Sequence, residues 1–351
     1  MADLIERNKQ FQTSLFAGAF QGHGIVVDPV FAPCGPRADF TCSALPVKAW
    51  VPWAVARYQA MLDKTLALQD DGVPFVGLNT NTGVFAAAFG CRLHVYEGME
   101  TNACALPAVE TAAEADALPE PDFHNVPTLA RIMELGKLVQ TELGRGVSIG
   151  VPDVQSPFDI AALIWRKENL LVALYDEPAA VLRLVAKCQR LLTSFLKAFQ
   201  REFPACNMSH CPGGTWAGPE LGCWLSEDEA GALSVDMFEE FCLPSLVEMS
   251  RAFGGMCMHC CATADHQYAS FRKIPHLRAL NRVFQHPPGP QPAIDTFSGH
   301  TVLIQAWIGE QDAYSFLDGA RPDTRFFFNL GTMPLEQAKP VFERVRERCG
   351  R

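Results

Sequence analysis

Apolar positions along the chain follow two alternating rhythms. Over 127–146, Leu129, Ile132, Met133, Gly136, Val139 and Leu143 recur at helical spacing and Gly144 supplies a stop, which predicts a helix. The stretch GVSIGVPD that follows reads as a short apolar strand with a polar end, and PFDIAALIWR reads as a further helix. Asp176 and Pro178 open a long amphipathic helix with Val181, Leu182, Val185, Leu192, Phe195 and Phe199 on one face, running to about Phe203. Next come a strand at ACNMSHC (205–211), a capped helix at SVDMFEEFCLPSLVEMSRAF (234–253) and a strand at GMCMHC (255–260). LRALNRVF, TVLIQAW and RFFFNLG are strand-like, and PLEQAKPVFERVRERC closes the series as a helix. Strands that alternate with helices point to a parallel sheet. At this length the closed (β/α)8 TIM barrel is favoured over a doubly wound sheet.

No Gly/Ser-rich linker or repeat divides the 351 residues, so one barrel domain spanning 1–351 is expected, with an N-terminal extension over about 1–50. A surface excursion at about 105–127 is marked by Pro119, Pro121 and Pro127 in an acidic, Ala-rich stretch. Apolar residues form 48% of the chain and charged residues 19%, the balance of a globular protein with a sizeable core. A net charge of −10 with no basic run argues against nucleic acid and anionic membrane as partners. No apolar run reaches the 18 or so residues that a spanning helix needs. Thirteen cysteines spread over the chain, an odd number without a short-domain framework, suit a reducing cytoplasm in which most are buried small hydrophobes.

In a barrel of this kind the chemistry gathers at the C-terminal ends of the strands. Six polar strand ends qualify: GLNTNTG (77–83), VPDVQSP (151–157), HCPGGTW (210–216), HCCATAD (259–265), IQAW (304–307) and NLGTM (329–333). They nominate Asn79, Asn81, Asp153, Gln155, Trp216, Gln305, Trp307 and Asn329 for catalysis or substrate contact. Trp216, Trp224 and Trp307 would suit a small apolar or aromatic substrate at the mouth. Each also has a structural reading as a turn, cap or packing residue.

GGMCMHCCATADH (254–266) carries the strongest chemical signal. Side chains alternate along a strand, so His259 and Cys261 project to one side and Cys260 to the other. Imidazole and thiolate are zinc ligands, and two donors from one strand end, completed from neighbouring loops, make an open site. Candidates for completing it are His210, Cys206 and Cys211 on the preceding strand, and Glu227 and Asp228 in WLSEDEAG. A sulfur-rich piece of core, or a nucleophilic Cys260 or Cys261, are the competing readings.

With these elements in order, the chain resembles the uroporphyrinogen decarboxylase superfamily. The resemblance spans most of residues 55–345 and rests on DGVPFVGLNTNTGVFAAAFGC, VPDVQSPFDIAALIWRKENLLVALYDEPAAV, MFEEFCLPSLVEMSRAFGGMCMHCCA and FFFNLGTMPLEQAKPVFERV. It implies a (β/α)8 barrel. The decarboxylases of the superfamily bind a polyanionic tetrapyrrole through an N-terminal arginine pair, which FAGAFQGHGIVV lacks; Asn79 and Thr332 stand where an Asp and a His are expected. The other branch, methyltransferases working with a corrinoid protein, uses H-x-C zinc ligands and a further downstream Cys. His259 and Cys261 match the first half, and Thr332 stands at the place of the second. The resemblance therefore implies zinc and a separate corrinoid partner, with a methyl group moving to or from a small methylated substrate or a thiol. Glu227, Asp228, Asn79 and Gln155 are the catalytic candidates, and His210 a third metal ligand beside His259 and Cys261. The alternatives are a decarboxylase of a carboxylated substrate and a barrel that binds a tetrapyrrole or corrinoid without turnover. A homodimer is among the oligomeric states open to the chain.

Overall fold

The structure is a computed structural model that describes residues 2–32, 34–40, 44–78, 80–95 and 103–350. The chain opens with α1 (Ala2–Ala17), β1 (Gly24–Asp28) and α2 (Val51–Leu68), then an antiparallel pair, β2 (Arg92–Val95) and β3 (Ala103–Leu106). Helices α3 (Ala112–Ala117), α4 (Pro127–Leu143), α5 (Pro157–Ile164), α6 (Lys167–Asp176) and α7 (Pro178–Glu202) lead to β4 (Cys223–Ser226). From there strand and helix alternate: α8 (Val235–Phe241), α9 (Leu243–Phe253), β5 (Met256–Cys260), α10 (Tyr268–Phe271), β6 (Leu277–Arg282) and α11 (Gln291–Phe297). The series ends with β7 (Val302–Gln305), α12 (Glu310–Asp318), β8 (Phe326–Thr332) and α13 (Leu335–Arg348).

Six of these strands form one parallel sheet in the order β1-β8-β7-β6-β5-β4. Nearly every position in them is buried, as expected of strands covered on both faces. The extended segments 73–78 and 148–155 fill the remaining wall: Val76 bridges Ile149, Gly150 bridges Asn207 and Gln155 bridges Ser226, all parallel. The wall is that of a (β/α)8 barrel. No helix among the described residues is long and apolar enough to cross a membrane.

Between β1 and segment 73–78 the wall is joined largely through side chains. Asp71 accepts the N–H of Ile25 (2.9 Å) and Asp70 that of Val27 (3.1 Å), while the Asp71 N–H returns a bond to the Ile25 carbonyl. Asp70 is fully buried and pairs with Lys64 of α2 at 2.5 Å. From below, Asn8 and Gln12 of α1 donate to the carbonyls of Asp70, Asp71, Gly72 and Gly214. Within this N-terminal region β1 joins the wall and α1 packs against the turn at 70–72.

Other differences from the sequence reading have local causes. The helix expected over 234–253 breaks at Cys242, because Pro244 in the first turn of α9 has no N–H to continue the ladder. The strand expected at 205–211 is reduced to the bridge at Asn207, since the chain folds back and Met208 pairs with Ala217. On α7 Leu182 is exposed, and Leu184, Cys188 and Leu191 complete the buried face instead. The excursion is ordered: a capping box at Thr111 and Glu114 starts α3, and Asp116 and Glu120 pair with Arg183 and Arg190 of α7.

Removing the Asp70 carboxylate would leave Lys64 buried without its partner and two backbone donors unsatisfied. Asp70→Ala is expected to destabilise the fold by about 3–5 kcal/mol, read from urea unfolding.

Candidate functional site

The C-terminal ends of β4, β5 and β6 converge on one polar cluster. Parallel register sets Ser226 beside His259 and His259 beside Asn281, so the residues that follow each strand share one mouth. The Nε2 of His259 lies 4.0 Å from Oδ1 of Asp228, and one ligand atom each of Asp228, His259 and Cys261 fall within 4.8 Å of one another. A four-coordinate zinc with bonds of 2.0–2.3 Å would need its ligands about 3.3–3.8 Å apart. The separations here are somewhat wider, so a bound ion would draw both the Asp228 carboxylate and the exposed Cys261 thiol inward. The donor set of imidazole, thiolate and carboxylate fits a zinc ion with one position left open.

Each donor is held by a traceable contact. Asp159, at the third position of α5 after the Ser156 cap, is buried and accepts the N–H groups of Asp228 (2.8 Å) and Glu229 (3.0 Å). Asp228 in turn accepts the N–H of Cys261 at 2.7 Å. On the other side of the ring, His259 Nδ1 lies 2.6 Å from Asn281 Oδ1 and 3.7 Å from Cys211 Sγ. The loop after Cys261 is clamped by Arg282, whose side chain is 5% exposed and bonds to Ala262, Asp265 and Tyr268. Burial opposes charge on His259, but the Cys211 and Cys261 thiols and the Asp228 carboxylate hold its pKa well above the usual range.

Beneath this cluster lies a buried carboxyl pair. Burial pushes Glu227 up to about 7, against the lowering effect of nearby Ser156 and Asp159, although neither of its oxygens makes a hydrogen bond of good geometry. Burial, with the charges of Glu227 and Asp228, also raises Asp159 well above its ordinary value, so the pair retains a proton.

A second group faces it across the mouth. Asp153 Oδ1 accepts from Gln155 at 2.9 Å and stands 3.4 Å from His210 Nδ1. Burial lowers His210 to about 3, with the nearby His259 adding to the effect, so its ring is neutral. His210, the third ligand expected from sequence, thus sits with Asp153, outside the group formed by Asp228, His259 and Cys261.

Residues 206–217 cross the barrel between these groups. Cys211 touches His259 and Asn281 on one wall, while the carbonyl of Gly213 accepts from Asn329 and that of Gly214 from Val73 on the opposite wall. Gly213 lies close to β1: an added Cβ would stand 2.6 Å from Asp28 Oδ1 and would have to push that carboxylate aside. Past this turn the chain descends, so Trp216 packs against Lys9 of α1 at 4.5 Å and Trp224 against Phe16 at 6.4 Å, both at the closed end. The expectation that Trp216 and Trp224 line the mouth is corrected accordingly. Trp307 is at the open end, 66% exposed and with φ 50°.

The remaining nominees have structural partners. Gln305 accepts from Phe284 N–H and donates to Ala306 and Gln285; Asn329 donates to Asp28 and accepts from Gly331 N–H; Asn81 accepts from Gly83 N–H. Thr332 ends β8 in register with Asp28, Cys349 is buried at the end of α13, and Asn79 lies outside the described residues. Sequence reading missed Asp159, Asn281 and Arg282. The Ser156-x-x-Asp159 spacing at a helix start marked the first, and the polar Asn281-Arg282 end of an otherwise apolar strand marked the others.

The fold and this cluster define a (β/α)8 barrel with a group of possible metal donors at the C-terminal strand ends. Residues 72–206 match the family model of uroporphyrinogen decarboxylase (URO-D). Among solved structures, the chain is similar to a methyltransferase from Methanosarcina mazei, with a TM-score of 0.66 and 11% identity over 97% of this chain and 98% of that one. No curated protein sequence matches it. The family match is thus confined to residues 72–206, and beyond them the likeness is one of fold.

Burial pushes Asp153 up to about 6, partly offset by His259 and Gln155. The folded chain then binds this proton more tightly than the unfolded chain, so stability falls as pH rises from about 4 to about 6. Asp153→Asn is expected to flatten that slope and to raise stability at neutral pH by on the order of 1–3 kcal/mol, read from urea midpoints across the range.

Proposed function

We propose that the chain is a methyltransferase that moves a methyl group between a small methylated substrate, or a thiol acceptor, and a separate corrinoid protein in the cytoplasm. The observation that carries this reading is the His259, Cys261 and Asp228 donor set, with the carboxylate standing in for the downstream thiol that Thr332 replaces. When bound, zinc supplies a Lewis acid that polarises a methyl-bearing oxygen or favours a thiolate.

The chain's own residues do the rest. His259 and Cys261 offer one imidazole nitrogen and one sulfur from a single strand end. Asp228 adds a carboxylate and, through the Cys261 N–H, holds the thiol-bearing loop beside it. Asp153, partly exposed at the mouth, is a hydrogen-bond acceptor and proton carrier for a polar group of the substrate. The similarity in fold to a methyltransferase supports this reading.

A polycarboxylate suits the mouth less well. Asp28, Asp153 and Asp228 stand at its strand ends, and each would repel an anionic substrate when ionised.

Elemental analysis of the purified protein tests the donor set. About one zinc per chain is expected in the wild type and almost none in His259→Ala, Cys261→Ala and Asp228→Ala. Zinc that survives all three substitutions, or a wild type that takes up none, would remove the basis of the reading. With zinc established, methyl transfer from methylated substrates to a corrinoid acceptor is the assay of choice.

A further inference from the structure

We propose that Asn281 is a positioning residue that fixes His259 in the tautomer carrying its proton on Nδ1, leaving the Nε2 lone pair for the metal. The inference rests on the metal reading above and adds to it a residue that the superfamily resemblance did not supply.

Register makes the contact unavoidable. Asn281 on β6 is the lateral partner of His259 on β5 and of Ile304 on β7, and side chains in register on parallel strands project to the same face. Asn281 is 2% exposed, so its amide must find its partners within the protein. The Ile304 carbonyl can only accept, and Asn281 Nδ2 donates to it at 3.0 Å. That bond settles which end of the amide faces the ring: Oδ1 lies 2.6 Å from His259 Nδ1. An amide oxygen cannot donate, so the neutral ring meets it with N–H at Nδ1. The bare nitrogen is then Nε2, on the side of Asp228 and Cys261. Cys211 directs its thiol to the same Oδ1 at 3.6 Å, a weaker second donor. A backbone carbonyl thus selects, through one amide, which imidazole nitrogen is available as a ligand.

Two substitutions separate positioning from simple packing. Asn281→Leu keeps the volume and removes the acceptor, whereas Asn281→Asp keeps an acceptor for Nδ1–H and turns a carboxyl oxygen, in place of an N–H donor, towards the Ile304 carbonyl. Zinc affinity, measured by competition with a chromophoric chelator, is expected to fall about 10–100-fold in Asn281→Leu and to stay within a few-fold of wild type in Asn281→Asp. Cys211→Ala is expected to lower it less than Asn281→Leu does, because the thiol is the weaker partner of the same ring and amide. Equal losses in the Leu and Asp variants, no loss in the Leu variant, or a loss in Cys211→Ala as large as that in Asn281→Leu would each overturn the proposal.

The tautomer is also read directly, on metal-free protein by nitrogen-resolved NMR at a pH where the ring is neutral. A proton on Nδ1 in wild type and in Asn281→Asp, but not held there in Asn281→Leu, supports the proposal. A proton on Nε2 in wild type overturns it whether or not zinc binds. A wild type that binds no zinc would defeat the metal reading alone, and the NMR result would still decide the role of Asn281.

Discussion

The barrel depends on the way its first strand is joined to its second wall segment. Between β1 and 73–78 much of the joining is done by the carboxylates of Asp70 and Asp71, which accept β1 amide protons. A buried carboxylate is costly unless it is paired and hydrogen-bonded, and Lys64 together with the Val27 and Gly72 amides meets that condition for Asp70. Because α1 is tied to the same turn through Asn8 and Gln12, closing the wall and covering its lower end are one event. The position of β1, and with it Asp28 and its partner Asn329, follows from that closure.

Much of the fold was legible because a strand covered on both faces must be apolar and must end in polar residues where it reaches solvent. That pattern exposes β5, β6, β7 and β8 and the helices between them. It fails for β1 and β4, which merge into neighbouring polar or Trp-containing stretches. His259, Cys261 and Asp228 were visible as donor types at a strand end or just after one. Their grouping was not, because it depends on lateral register between strands that sequence periodicity does not report. Trp216 was misjudged for a related reason: a reversal after Cys211 carries the chain back down the barrel, and no local signal in the sequence reveals that an extended stretch turns round.

The site also joins two parts of the chain that sequence comparison treats separately. The family match covers 72–206 and ends before His259, Cys261 and Asp228. Yet Asp159, inside that segment, grips the backbone of Asp228 and Glu229, and Asp228 grips Cys261. A single buried side chain on α5 therefore sets the spacing of a donor cluster some seventy to one hundred residues downstream. Substitutions in the matched segment can disturb that cluster without touching a ligand.

The crossing formed by residues 206–217 gives the mouth a floor. With Cys211 against His259 and Gly213 against Asp28, that floor braces one side of the wall against the other at the level of the strand ends. It acts as a spoke across the rim, so a displacement of β1 has a direct route through one short stretch of chain to the strand that carries His259.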